Sequence, residues 1–76
     1  MYYRIDGEPN KKFDNIVPAR AEAVRNLKER PISVYLCNMV GGIEIGRVMK
    51  GPGYLIYADT QGNIYRLSKS GNVRKG

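Results

Sequence analysis

One stretch of the chain repeats apolar residues every three or four positions, which is the spacing of one face of an α-helix. The residues concerned are Val17, Ala21, Val24 and Leu27. Pro18 suits the start of a helix, and Pro31 suits its end. We therefore predict one helix from about Pro18 to Glu29. Its charged residues are expected to face solvent: Arg20, Glu22, Arg25, Lys28 and Glu29.

The rest of the chain has β-type patterns, in which runs of β-branched and aromatic residues are separated by turn residues. The predicted strands are residues 1–5, 32–40, 43–50, 54–59 and 63–68. This order predicts a single α+β domain, β-α-β-β-β-β, over residues 1–70. Its sheet is mostly antiparallel, has four to five strands and carries the helix on one face; residues 71–76 are expected to form a basic tail. The first strand fits either a right-handed crossover through the helix or an antiparallel edge position.

Short turns set the strand registers, and the registers assign side chains to faces. A turn at Gly41-Gly42 pairs Val40 with Ile43, and a turn at residues 51–53 pairs Lys50 with Tyr54. A turn at residues 60–62 pairs Tyr57 with Tyr65. The face under the helix is then Val34, Leu36, Ile43, Ile45, Met49, Leu55, Tyr57, Tyr65 and Leu67. Arg47 also falls on that face, so we expect a bulge near Gly46 or an edge position for Arg47.

The opposite face collects aromatic and aliphatic residues beside two cations: Tyr35, Cys37, Val48, Lys50, Tyr54, Ile56, Ile64 and Arg66. One helix covers only one side of a sheet, so this second face is either exposed or closed into a small barrel. If exposed, its tyrosines are suited to stacking on the bases of single-stranded nucleic acid, with cations on the phosphates.

Charge adds to this picture because the chain has 13 basic and 7 acidic residues, a formal net charge of +6. Six of the basic residues and only two of the acidic ones lie between residues 32 and 76. Such an imbalance favours polyanionic partners, namely nucleic acid, an anionic membrane or an acidic protein surface. A solubilising surface with a basic tail is the alternative.

The residue inventory argues against several classes of protein. With no histidine and one cysteine, Cys37, the chain offers no disulfide, no usual zinc site and no Ser-His or Cys-His pair. No convincing carboxylate pair is present, so we expect neither an enzyme nor a bound metal or cofactor. The longest uncharged run, Pro31 to Ile43, is too short to span a bilayer, so no membrane insertion is expected. The first residues lack the layout of a signal peptide, so export is not expected, and the lone cysteine favours the reducing cytoplasm.

Two short strings resemble the signatures of the RNA recognition motif. Residues 50–57, KGPGYLIY, resemble the longer signature, with Pro52 in place of one aromatic residue, and residues 34–39, VYLCNM, resemble the shorter one. The resemblance implies base stacking on Tyr35 and Tyr54, with Lys50 as their basic neighbour. The order of the two strings differs from that of the family, and only ten residues separate them, so we do not assign the chain to it.

Three functions follow as hypotheses, one of them a structural subunit in a larger assembly. The first is a binding module for RNA or single-stranded DNA, whose candidate residues are Tyr35, Lys50, Tyr54, Arg66, Lys69, Arg74 and Lys75. The second is a protein-interaction module, an inhibitor or adaptor, that uses the exposed apolar face or an edge strand. A homodimer through the same face is a further expectation.

Overall fold

The computed structural model describes residues 1–74, which form one helix packed on a curled, six-stranded antiparallel sheet. The strands follow one another in chain order across the sheet. The elements are β1 (Tyr2–Ile5), α1 (Ile16–Asn26), β2 (Ile32–Cys37), β3 (Gly42–Lys50), β4 (Leu55–Asp59), β5 (Ile64–Leu67) and β6 (Val73–Arg74). The predicted α+β class and element order are confirmed, but the sheet has six strands instead of four to five. Residues 73 and 74, expected in the tail, pair with β5.

The first strand takes the antiparallel edge position. β1 pairs with β2 along its whole length, with Ile5 opposite Val34. Its outer edge is covered by a single bridge, in which Tyr3 and Phe13 exchange two backbone hydrogen bonds of 2.7 and 2.9 Å. Within residues 1–74, β6 pairs only with β5, so the two edges of the sheet do not meet in a closed barrel. The face opposite the helix is therefore not enclosed in a barrel and is called the open face here, although Cys37 on this face is only 4% exposed.

Helix α1 begins two residues before the predicted start and ends three residues before the predicted end. The Asn15 side chain accepts a hydrogen bond of 2.8 Å from the Val17 N–H, which satisfies one of the free donors of the first turn. Ala19 and Ala23 lie four residues apart, are fully buried and pack on the sheet. Small side chains at these two positions allow the helix to approach the strands closely.

Two charged residues of the helix are buried, although the sequence pattern placed both in solvent. Arg20 is 6% exposed and Glu22 is 9% exposed. The turn that follows β5 covers Arg20, whose Nε donates to the Gly71 carbonyl oxygen. The loop after β1 covers Glu22, which accepts a 3.0 Å hydrogen bond from Lys11 Nζ. The prediction was wrong because the helix is flanked on both sides by loops that its own periodicity does not reveal.

The turn between β2 and β3 is not at Gly41-Gly42 as predicted. Its central residues are Met39 and Val40, and the Asn38 N–H donates to the Gly41 carbonyl over 2.8 Å. The Asn38 side chain accepts from the N–H groups of Val40 and Gly41, an arrangement that suits Asn at the first position of a turn. Ile43 consequently pairs with Leu36, is 66% exposed and is not part of the core.

The turn between β3 and β4 is one residue shorter than predicted. Gly51 N–H donates to the Tyr54 carbonyl over 2.7 Å, so Pro52 and Gly53 occupy the two central positions and Lys50 pairs with Leu55. A one-residue shift exchanges the two faces of a strand. Val48 is therefore fully buried in the core, and Met49 faces away from the helix.

The register shift between β2 and β3 confirms the bulge expected near Gly46. Val34 pairs with Gly46 and Tyr35 with Glu44, which leaves Ile45 as the extra residue. The bulge allows Arg47 to face solvent. The core beneath α1 consists of Ile5, Ala19, Ala23, Val34, Val48, Tyr57 and Leu67.

Candidate nucleic-acid interface

Four neighbouring strands place one row of side chains across the open face of the sheet. Met49 pairs with Ile56, Ile56 with Arg66, and Arg66 with Arg74. Neighbouring strands lie about 4.8 Å apart, so the row spans about 14 Å. It combines two apolar side chains on β3 and β4 with two cations on β5 and β6.

Arg66 and Arg74 are directly opposite each other on adjacent strands, and both are exposed. Like charges in this position repel each other and destabilise the strand pair. Among residues 1–74, neither guanidinium has a carboxylate within salt-bridge distance. An anion placed between the two side chains would relieve that repulsion.

Tyr54 adds an aromatic ring to this pair. The guanidinium carbon of Arg66 lies 4.2 Å from the centroid of the Tyr54 ring, within the range of a cation–π contact. The tyrosine side chain follows the turn before β4 and is 38% exposed. A hollow of about 200 Å³ lies here, lined by Tyr54, Arg66, Leu67, Ser68 and Arg74. We refer to Tyr54, Arg66 and Arg74 as the Arg66 cluster.

Lys50 and Lys69 lie at the same end of the sheet as the Arg66 cluster. Lys50 is the last residue of β3 and pairs with Leu55, which pairs with the buried Leu67, so its position lies on the helix side of the sheet. The prediction that Lys50 shares the open face with Tyr54 was wrong, because the turn between β3 and β4 is one residue shorter than expected. Lys69 lies in the turn between β5 and β6. Both lysines are exposed, and within residues 1–74 neither forms a salt bridge. The remaining candidate cation, Lys75, lies outside the described residues.

Acidic residues are concentrated away from this end. Residues 60–76 contain no Asp or Glu, and neither do residues 45–58. Asp59 lies at the opposite end of β4, where its side chain accepts from the N–H groups of Gln61 and Asn63. Glu44 pairs with Arg47, Nε to Oε2, over 2.9 Å. At the end of the sheet that carries the Arg66 cluster, the positive charges are therefore less neutralised by acidic residues than at the opposite end.

Tyr35 faces the open side as predicted but lies in a different neighbourhood. Its hydroxyl donates a 2.9 Å hydrogen bond to Asp6, and the Arg4 guanidinium lies 4.8 Å from its ring centroid. The hydrogen bond to Asp6 and partial burial raise the pKa of Tyr35 above its usual value. β3 and β4 separate Tyr35 on β2 from Arg66 on β5. The structure thus brings Tyr54, Arg66 and Arg74 together and leaves Tyr35 out.

Sequence reasoning missed two contributors to this end of the molecule. Met49 was assigned to the core because the turn at residues 51–53 was taken to be one residue too long. The Pro52-Gly53 pair was the available signal, since Pro and Gly favour the two central positions of a turn. Arg20 had no such signal, because its partner, the Gly71 carbonyl, is 51 residues away in the chain.

The described residues offer no metal-binding cluster, because no three Cys, Asp or Glu side chains in residues 1–74 converge. Cys37 is 4% exposed and lies on β2. The one helix within residues 1–74 is neither long nor apolar enough to cross a bilayer. Comparison with protein-family models, curated proteins and solved structures found no match.

Proposed function

We propose that the protein is a non-enzymatic binding module for single-stranded RNA or DNA, which it contacts through the Arg66 cluster with help from Lys69. The observation that carries this proposal is the pairing of Arg66 with Arg74 beside the Tyr54 ring, with no carboxylate of residues 1–74 within salt-bridge distance of either guanidinium. A location in the cytoplasm is part of the proposal and fits the single, buried Cys37.

The proposed binding mode assigns a separate task to each kind of side chain. A phosphate group lies between the two guanidinium groups, where it accepts charge-assisted hydrogen bonds. A base stacks against the Tyr54 ring or the plane of the Arg66 guanidinium, both of which are known platforms for unpaired bases. Met49 and Ile56 extend an apolar surface next to these groups. Because duplex bases are already stacked on each other, the site favours single strands.

Fluorescence anisotropy of a labelled 12-nucleotide single strand tests the proposal. Three contributing cations, Arg66, Lys69 and Arg74, predict a slope of roughly −2 for log K against log[salt]. A duplex of the same length is the first control and is expected to bind more weakly at each salt concentration. Absence of binding to either probe at low salt contradicts the proposal.

Point variants separate phosphate contacts from stacking. Arg66→Ala and Arg74→Ala should each flatten the salt slope by about 0.7, since each removes one phosphate contact on a single strand. Tyr54→Ala should weaken binding by about 1 to 3 kcal/mol with the slope unchanged, because stacking releases no counterions. The matched control is Arg47→Ala, which removes a cation from the same face that is already paired with Glu44. If Arg47→Ala and Arg66→Ala weaken binding and flatten the salt slope equally, binding depends on overall charge and not on the Arg66 cluster, which contradicts the proposal.

A second candidate function is protein binding at the other end of the sheet. Met39, Val40 and Ile43 are exposed there. β3 extends beyond β4, so residues 42–44 have no strand partner on that side within residues 1–74. Such an unpaired edge is suited to strand addition by a partner, including a second copy of this chain. Sedimentation velocity of the parent and of Ile43→Lys tests self-association, and a parent that stays monomeric at high concentration argues against it.

A further inference from the structure

Arg20 projects from the helix towards the turn that joins β5 to β6. Its Nε donates a 2.8 Å hydrogen bond to the Gly71 carbonyl oxygen, and its guanidinium carbon lies 5.0 Å from the centroid of the Tyr57 ring. Only 6% of the residue is exposed. Burial lowers the pKa of this guanidinium, but the ordinary pKa of arginine is so high that the group remains charged. Arg20 is therefore a buried cation held between a ring and a backbone carbonyl.

The turn between β5 and β6, which accepts this hydrogen bond, packs closely against the first helical turn of α1. Gly71 has φ +91°, and a Cβ placed on it would lie 2.0 Å from the Val17 carbonyl oxygen. Inside the turn, the Ser68 N–H donates to Asn72 O over 2.9 Å, and the Gly71 N–H donates to Ser68 O over 3.0 Å. The turn thus has a defined position on the helix, and Arg20 contacts its buried side.

β6 depends on this turn because the strand is only two residues long and has one neighbour, β5. Isolated pairs of short strands are marginally stable in water. The Arg66–Arg74 repulsion further weakens the pair. Val73 and Arg74 follow Asn72 directly, so the position of the turn determines the position of both residues.

We infer that Arg20 is a positioning residue: by holding the Gly71 carbonyl, it keeps β6 paired and Arg74 beside Arg66. This inference rests on the proposed function for its role in binding, while the placement of β6 is testable without any ligand. Lysine cannot replace Arg20 in this role, because a lysine ammonium lacks the planar Nε–H group that donates to the carbonyl while the guanidinium stacks on Tyr57.

Amide hydrogen exchange measured on the free protein tests the placement of β6. In Arg20→Met, the Ser68 and Gly71 amides should exchange at least tenfold faster than in the parent. The reference is the Asp59 amide, which donates to Asn63 O in the neighbouring hairpin and should be unchanged. Lys28→Met, which removes an exposed cation just beyond the helix, is the control and should alter neither rate. Unchanged Ser68 and Gly71 exchange in Arg20→Met overturns the inference.

Arg20→Lys provides a second measurement and replaces Arg20→Met if that variant fails to fold. It retains the charge and most of the aliphatic stem, and it should still accelerate Ser68 and Gly71 exchange at least threefold relative to Asp59. Parent-like exchange rates in Arg20→Lys would show that charge and packing, rather than the carbonyl hydrogen bond, hold the turn, which contradicts the inference.

Salt dependence of binding tests the role of Arg20 in the site. Arg20→Met should flatten the slope for a single-stranded 12-nucleotide probe by about 0.7, as Arg74→Ala does, although Arg20 itself is buried. The double variant should match Arg74→Ala alone, because both changes remove the same contact. Additive effects would show that Arg20 acts independently of Arg74 and overturn the inference. If the parent binds no probe, the proposed function fails, and the exchange rates alone decide whether Arg20 positions β6.

Discussion

The contact between the β5–β6 turn and the helix makes Gly71 the most demanding glycine position among residues 1–74. Gly71→Ala adds one methyl group where φ is +91° and where that methyl would lie 2.0 Å from Val17 O and 2.9 Å from Ala21 N. Gly53 offers a matched control, because its φ is +89° but nothing lies within 4 Å of the corresponding Cβ position. The two variants share the conformational cost and differ in the steric clash.

The expected destabilisation follows from these two contributions. Left-handed backbone costs a non-glycine residue about 1 to 2 kcal/mol. Overpacking against fixed backbone atoms adds about 1 to 3 kcal/mol. Gly71→Ala should therefore lower the free energy of unfolding by about 2 to 5 kcal/mol, and Gly53→Ala by only about 1 to 2 kcal/mol. A chain of this length has a total stability of about 4 to 11 kcal/mol, so Gly71→Ala removes a large part of it.

Equilibrium unfolding in guanidinium chloride, followed by circular dichroism, measures both variants. With a slope of about 2 kcal/mol/M, the Gly71→Ala midpoint should fall by roughly 1 to 2.5 M. Equal midpoints for Gly71→Ala and Gly53→Ala would refute the reasoning, because the clash with the helix would then cost nothing. That result would also remove the structural basis for the Arg20 contact.

Three further predictions concern other parts of the fold. Hydrogen bonding with Glu8, Lys11 and Arg25 lowers the pKa of Glu22 from 4.5 to about 2, so the stabilising effect of the Glu22 carboxylate is present above pH 4.5 and is lost as the pH falls towards 2. In unfolding titrations, Glu22→Gln should therefore destabilise the protein most at pH 6 and least at pH 2.5, and a difference in stability that does not change with pH would contradict this. Ile5→Ala, at a fully buried position, should cost about 2 to 5 kcal/mol, whereas Ile43→Ala should cost less than about 0.5 kcal/mol, and similar thermal midpoints would contradict this core. Cys37→Ser should retain oligonucleotide affinity with only a modest loss of stability, and loss of binding by a folded variant would indicate a thiol function.

The registers show which turns are readable from sequence. The turn at residues 60–62 was placed correctly, and the pairing of Tyr57 with Tyr65 is confirmed. The prediction of a turn at Gly41-Gly42 was wrong. Packing and not a turn requires glycine at position 42, because a Cβ there would lie 2.7 Å from Cys37 Sγ. Glycine identity alone does not distinguish these two requirements. The Asn38 side chain, which accepts from two turn amides, was the local signal for the true position.

The helix shows where local periodicity stops being informative. The pattern identified its existence and the burial of Ala21, but it assigned Arg20 and Glu22 to solvent. Both are covered by segments distant in sequence, the Gly71 turn for Arg20 and Lys11 for Glu22. Charged residues are buried only where they have such partners, and the periodicity of the helix sequence does not reveal partners that lie elsewhere in the chain.

The candidate site was predicted in part. Arg66 and Tyr54 were assigned to the open face, and the structure places them in contact. The pairing of Arg66 with Arg74 could not be foreseen, because residues 73 and 74 carry too short a pattern to predict a strand. Tyr35 was assigned to the correct face, but its neighbours depend on the edge position of β1, which the sequence left open.

The central claim is that a single strand binds at the end of the sheet that carries the Arg66 cluster. The most direct measurement is a titration of the ¹⁵N-labelled protein with an unlabelled 12-nucleotide single strand, followed by amide and side-chain NMR shifts. The largest changes are expected at Tyr54, Arg66 and Arg74, with little change at Tyr35. Shifts concentrated around Tyr35 and Arg4, or spread evenly over all exposed cations, would contradict the claim.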